Sequence, residues 1–269
     1  MGRIEDAIRK AQTSHQRQGG RSAMQVSRKH PSLGASTRAH GSPVVEIRAS
    51  HIVDADDERL WEQRVIAASD HDERVGAYRQ LRTQLLKTMR DNQWGTLAIT
   101  SPNERAGKTL TAANLAISLS MDVSTSVLLV DLDLSTPTVH QKLNLSPQKG
   151  LVDFLEDQAE LEEILFDPGF DRLTILAGRA AGKDASELLA SPKMEELMRV
   201  LCHQDRGNIT IFDLPPLLRN DDAMLFAPYA DVILIVVEDG VTTEDQLQQS
   251  IRLLDKANVI GTILNKARV

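Results

Sequence analysis

A chain of 269 residues with 41% apolar content can bury one good core, and its 38 acidic residues outnumber the 31 basic ones, which excludes the overall positive field of a general nucleic-acid binder. A single cysteine, Cys202, excludes an intramolecular disulfide, and no Cys/His cluster has the spacing of a zinc site. The longest apolar runs, such as Val232 to Val237, fall far short of the roughly 20 residues that span a bilayer, and the opening Met-Gly-Arg-Ile-Glu-Asp has no signal-peptide core, so a reducing, cytoplasmic location is expected.

In chain order, residues 2 to 11 place Ile4, Ile8 and Ala11 near one face and predict a short amphipathic helix. Gln12 to Val45 is rich in Gly, Ser, Gln and His, carries basic side chains and no acidic one, and is expected to be a disordered basic linker. Asp54 to Glu73 reverses the charge, with eight carboxylates against Arg59 and Arg64, and predicts a solvated lead-in helix or arm. Tail and lead-in together end at about residue 71. From residue 72 onward, apolar runs at 96–100, 126–131, 173–176, 209–213, 232–237 and 259–264 alternate with segments of helical period. That alternation predicts a single α/β domain, a doubly wound and mostly parallel sheet covered by helices on both faces and preceded by a flexible N-terminal tail. Helices are expected at 108–121, 186–203 and 243–256, the last opened by a cap-like Thr242-Thr243-Glu244-Asp245 run.

Thr96-Leu-Ala-Ile-Thr-Ser-Pro-Asn-Glu-Arg-Ala-Gly-Lys-Thr109 reads as a buried strand, a tight loop and a helix opened by Gly-Lys-Thr, which is the context of a P-loop as well as its letters. Backbone amides and the positive helix end would face phosphates, Lys108 would reach the outer ones from a solvent-facing loop, and the Thr109 hydroxyl would hold Mg²⁺. The alternative is a surface turn, since Pro102 stands where the motif's first glycine belongs. Two further predicted strands end in carboxylates at the ligand-binding edge of such a sheet, Asp131 and Asp133 after one and Asp213 after the other. They are candidates for ordering a metal-bound water or accepting a proton, with acidic strand-end caps as the alternative.

These blocks, with Arg79-Gln-Leu-Arg82, Gly150-Leu-Val-Asp-Phe-Leu155, Ser186-Glu-Leu-Leu-Ala-Ser-Pro192, Phe212-Asp-Leu-Pro-Pro216 and Gly261-Thr-Ile-Leu-Asn-Lys266, resemble the bacterial tyrosine kinases, relatives of the Par- and Min-type partition ATPases. The resemblance covers roughly residues 73 to 269 and implies a P-loop ATPase or kinase using ATP and Mg²⁺. It implies a nucleotide set of Asn103, Glu104, Arg105, Ala106, Gly107, Lys108, Thr109 and Leu110, with Asn265 reading the adenine. Lys108, Asp131, Asp133 and Asp213 would be catalytic, and Thr109, Asp131 and Asp213 would serve the metal.

It further implies control of exopolysaccharide synthesis with a membrane co-polymerase partner, which could bring the chain to the inner face of the membrane. Weak self-association through Arg79 and Arg82 and no specific nucleic acid are expected. Ser135 and Gly76 depart from the family pattern, replacing an arginine and the glutamate of the subunit-contact motif, and Arg105 takes a loop position usually held by a small residue. A non-catalytic ATP-bound scaffold and a Par- or Min-type positioning ATPase are the competing readings. The family's usual acceptor is a C-terminal tyrosine cluster. The tyrosines here are Tyr78 and Tyr229, and both are expected to be packing residues.

Overall fold

The computed structural model describes residues 51–52, 57–69, 72, 74–181, 185–202, 207–219, 221–254 and 257–267. The expected helix at 2–11 and the basic linker lie outside them. All belong to one unit that begins at Ile47.

Among the described residues eight strands form one sheet: β1 (His51–Ile52), β2 (Thr96–Thr100), β3 (Ser126–Asp131), β4 (Leu165–Asp167), β5 (Leu173–Leu176), β6 (Asn208–Asp213), β7 (Val232–Glu238) and β8 (Val259–Asn265). Their order is β1-β4-β5-β3-β6-β2-β7-β8. From β5 to β8 every pairing is parallel, while β4 runs antiparallel to β5 and β1 runs alongside β4. Strands β2, β3, β6 and β7 are continuous apolar runs because helices cover both faces of the sheet. Fully buried Leu97, Ile99, Leu129 and Ile211 each contribute about 1.5–3 kcal/mol by leaving water.

The first long crossover runs from β2 through α3 (Lys108–Ser120) to β3 and steps over β6. Apart from Leu110, the residues of α3 are buried, so the helix is rich in Ala, Ser and Thr. On its outer side lies α2 (Val75–Asn92), which buries Leu85, Leu86 and Met89. Arg82 of α2 donates to the Ser118 carbonyl at 3.0 Å, so its charge sits at the negative end of α3, while Arg79 lies on the exposed face.

The remaining helices are α1 (Asp57–Glu62), α4 (Val139–Lys142), α5 (Leu151–Leu155), α6 (Ala185–Leu189), α7 (Pro192–Cys202), α8 (Asp222–Phe226) and α9 (Glu244–Leu253). The single helix expected at 186–203 is two, because Pro192 disfavours helical backbone at Ser191, whose hydroxyl instead caps the Met194 amide at 3.2 Å. At α9 the Thr243 hydroxyl accepts from the Gln246 amide at 3.3 Å and the Gln246 side chain answers at 3.0 Å.

The acidic lead-in departs from its expected solvated state. Leu60, Val65, Ile66 and Ala67 are buried, and all but Ile66 join the core cluster around α3. Its carboxylates lie toward the ends of the segment apart from Glu62, and the apolar residues among them supply a docking face that a charge count conceals.

Candidate functional site

Parallel register brings the strand-end carboxylates together: Asp131 pairs with Asp213 across β3 and β6, and Ile99, next to the end of β2, pairs with the same Asp213. The loop between β2 and α3 therefore passes over two buried carboxylates. Gly107 opens α3 with φ 98°, and a Cβ there would lie 2.0 Å from Asn265 Nδ2, so the close approach of β8 requires glycine. Asn265 Nδ2 donates to the Ala106 carbonyl at 2.8 Å, and Lys266 Nζ donates to the Arg105 carbonyl at 2.8 Å while pairing with Glu238 at 2.9 Å. Two successive loop carbonyls are thus tied to the end of β8.

Gly107→Ala is expected to destabilise the chain by about 1–2 kcal/mol through left-handed backbone alone. It should also displace Asn265 and weaken nucleotide binding in calorimetry. An unchanged affinity would remove the Asn265 contact from the site.

Lys108, expected to face solvent, is buried. Its Nζ lies 2.9 Å from Asp133 Oδ2, 3.2 Å from Thr109 Oγ1 and 3.6 Å from Asp213 Oδ1, so strands β3 and β6 hold it down over the sheet edge. Burial opposes the ammonium charge, but Asp213 and Asp133 outweigh it and raise the Lys108 pKa. Asp133 also accepts from the Thr136 amide at 3.1 Å and the Thr136 hydroxyl at 3.2 Å.

Asp131 and Asp213 have different environments. Asp131 Oδ2 accepts from the Thr138 and Val139 amides, both at 3.0 Å, and Oδ1 from the Asp133 amide at 3.3 Å, so this carboxylate anchors the turn that leads into α4. Both Asp213 oxygens are buried without a hydrogen-bond partner, and Lys108 is too distant to supply one. Burial, then the Asp213 charge, push Asp131 up to about 8 against the opposing Val139 amide and Lys108. Burial raises Asp213 too, opposed by Lys108 and the Thr109 hydroxyl.

Above these groups lies a cleft of about 540 Å³, a size suited to a nucleotide, lined by Arg64, Arg105, Lys108, Thr109, Pro216 and Lys266 among others. Glu104, Gly107, Leu110 and Asp133 also line it, whereas Asn103, Ala106, Asp131, Asp213 and Asn265 do not. Glu104 pairs with Arg219 at 2.9 Å, and the Asn103 carbonyl accepts from Ser101 Oγ at 2.7 Å.

Sequence reasoning missed Gln63 and Arg64, whose acidic surroundings mask them, and Thr138, whose hydroxyl donates to Thr109 Oγ1 at 3.3 Å. The unpartnered oxygens of Asp213 beside the Thr109 hydroxyl fit a hard divalent cation. Mg²⁺ needs few protein ligands, because it keeps several waters and takes phosphate oxygens.

Residues 97–269 match the CobQ/CobB/MinD/ParA nucleotide binding domain family. The chain is 32% identical to tyrosine-protein kinase YwqD of Bacillus subtilis over 190 residues, 70% of this chain and 79% of that one. To tyrosine-protein kinase etk of Escherichia coli K12 it is 29% identical over 196 residues, 72% of this chain but 27% of the relative, so it spans about a quarter of that longer protein. The solved kinase domain of E. coli ETK superposes with a TM-score of 0.68 at 26% identity, covering 81% of this chain and 89% of that domain. The Pyrococcus horikoshii septum site-determining protein MinD, solved with Mg-ADP, shares the fold at a TM-score of 0.54 and 24% identity, covering 63% of this chain and 69% of that one. The chain belongs to the CobQ/CobB/MinD/ParA nucleotide-binding domain family, among its bacterial tyrosine kinases.

Proposed function

We propose that this chain is a Mg-ATP-dependent phosphotransferase of the bacterial tyrosine kinase type, acting in exopolysaccharide synthesis with a membrane co-polymerase partner. The observation that carries the reading is the convergence of Lys108 and Thr109, at the start of α3, with Asp133 just beyond β3 and Asp213 at the end of β6, whose oxygens face Lys108 without a hydrogen bond. In this reading Lys108 leaves Asp133 to hold the outer phosphates, and Thr109 with Asp213 holds Mg²⁺. Bound Mg²⁺ would neutralise charge building on the phosphoryl oxygens. Asp133, freed of Lys108, would accept the proton of the acceptor hydroxyl, Asp131 would keep the turn before α4 in place, and Asn265 would hold the adenine end.

The acceptor tyrosine is assigned to another protein. Tyr78 is packed against α3: burial raises its phenol pKa against a Thr111 hydrogen bond, and Ser118 Oγ donates to its carbonyl at 3.3 Å. Tyr229 is half-buried, and its carbonyl accepts from Thr96 Oγ1 at 3.1 Å. The test is the fate of the γ-phosphate when the chain is mixed with labelled Mg-ATP and the cytoplasmic segment of a candidate co-polymerase. Label is expected on tyrosine of the partner. Label only in solution would make the chain an ATPase, unmoved label would make it a scaffold, and label on Tyr78 or Tyr229 would make it its own substrate.

A further inference from the structure

The segment leading into the domain ends its first helix in an unusual way. Val65 N donates to the Leu60 carbonyl and Arg64 N to the Trp61 carbonyl, both at 2.8 Å, the paired bonds of a helix C-terminus that normally places glycine in the left-handed conformation. Here that residue is Arg64, with φ 61°. An arginine is strained in this backbone region, and such positions persist where the surroundings hold them.

The holding group is Asn114, fully buried on α3 less than two turns beyond Lys108. Its Oδ1 accepts from the amides of Ile66 at 2.7 Å and Ala67 at 2.9 Å, and its Nδ2 donates to the carbonyls of Arg64 at 3.2 Å and Leu110 at 3.0 Å. Both donor sites and both acceptor sites of the amide are thereby used, three of the four on residues 64–67. A second tie crosses the cleft mouth, where Lys142 Nζ of α4 donates to Gln63 Oε1 at 3.1 Å. From α4 the connection continues to Thr138 just before it, and so to the Thr109 hydroxyl. Gln63 and Arg64 consequently line the same cleft as Lys108 and Thr109.

We propose that Arg64 is a nucleotide-binding residue supplying a cation to the polyphosphate or ribose side of the ligand, and that Asn114 is the positioning residue that holds it there. Docking of residues 60–67 and occupancy of the cleft are then coupled, each strengthening the other. This rests on the reading of the cleft as a nucleotide site.

Hydrogen exchange of the full-length chain, followed over residues 60–69 with and without Mg-ATP, is combined with calorimetry on three variants. In the wild type Mg-ATP is expected to slow exchange at the Ile66 and Ala67 amides. Asn114→Ala should speed that exchange without ligand and lower ATP affinity about tenfold. Arg64→Ala leaves its carbonyl on Asn114, so exchange without ligand should stay unchanged while affinity falls about fivefold and the ATP-dependent slowing shrinks. A purely structural role for the segment would not produce that last pattern. The proposal is overturned if the wild type binds ATP with no change in exchange, or if Arg64→Ala keeps full affinity. If the wild type binds ATP no better than Lys108→Met, the nucleotide reading itself has failed and the proposal falls with it.

Discussion

Lys108→Met is expected to weaken Mg-ATP binding by about 10- to 100-fold, the loss of one charge-assisted phosphate contact of roughly 1.5–3 kcal/mol. A lysine on a solvent-facing loop could be removed with the fold untouched. In the folded chain, however, Lys108 is the cation beside Asp133 and Asp213, both buried. Removing it leaves buried carboxylates without their counter-charge, a change that costs about 3 kcal/mol or more when the partner groups stay ionised. The variant should therefore be destabilised before any ligand is added, and part of the loss should return in mildly acidic buffer as Asp213, whose pKa burial raises, takes up a proton. Urea unfolding at two pH values and calorimetry measure both effects. Wild-type affinity would end the P-loop assignment. Wild-type stability with lost affinity would show that the Lys108 ion pairs carry no net stabilisation.

Asp213→Asn is expected to have opposite effects on stability and turnover. Burial raises Asp131 to about 8 and raises Asp213 as well, so the folded chain binds protons that the unfolded chain, titrating near the ordinary aspartate value of 3.8, has released. With folded pKa values above unfolded ones, stability falls as pH rises from about 4 to about 8, by at most about 1.4 kcal/mol per pH unit for each proton involved. Between pH 6 and 8 the loss should be about 1–2 kcal/mol, because the two groups compete for the same Lys108 charge. Replacing Asp213 by the neutral amide removes one partner of this repulsion. The variant should be more stable than wild type at pH 8, with a flatter stability profile, and should lose Mg-dependent turnover by a hundredfold or more, since the charge at the proposed metal position is gone. Parallel urea titrations and single-turnover assays decide it. Identical pH profiles in the two proteins would show that Asp213 contributes nothing to the pH dependence of stability.

Most of the parallel sheet was legible before the structure because continuous apolar runs bounded by turn residues have one stable use in a chain of this composition. The expected strand ends agree with β2, β3 and β5 and fall within one residue of β6, β7 and β8. Strands β1 and β4 escaped because His51–Ile52 and Leu165–Asp167 are too short to show a period, and the pairing of β4 with β5 and of β1 with β4 comes from chain return rather than composition. The site was legible where spacing along the chain sets it. Lys108 and Thr109 follow a strand and a tight loop, and Asp131, Asp133 and Asp213 close strands, so local order alone brings them to one sheet edge.

What the sequence determined by itself is this local layer: which segments are strands, which loop precedes α3, and which carboxylates stand at strand ends. Register, burial and long-range hydrogen bonds belong to the tertiary structure. Parallel pairing of β3 with β6 puts Asp131 opposite Asp213 in a buried layer, where burial raises both pKa values and the Asp213 charge raises Asp131 further. Folding also turned Lys108 from a loop cation into a buried counter-ion and docked an acidic arm through one amide, Asn114, 47 and 48 residues away from the backbone it clamps. Such contacts depend on which groups lose water together, and separation along the chain carries no record of that.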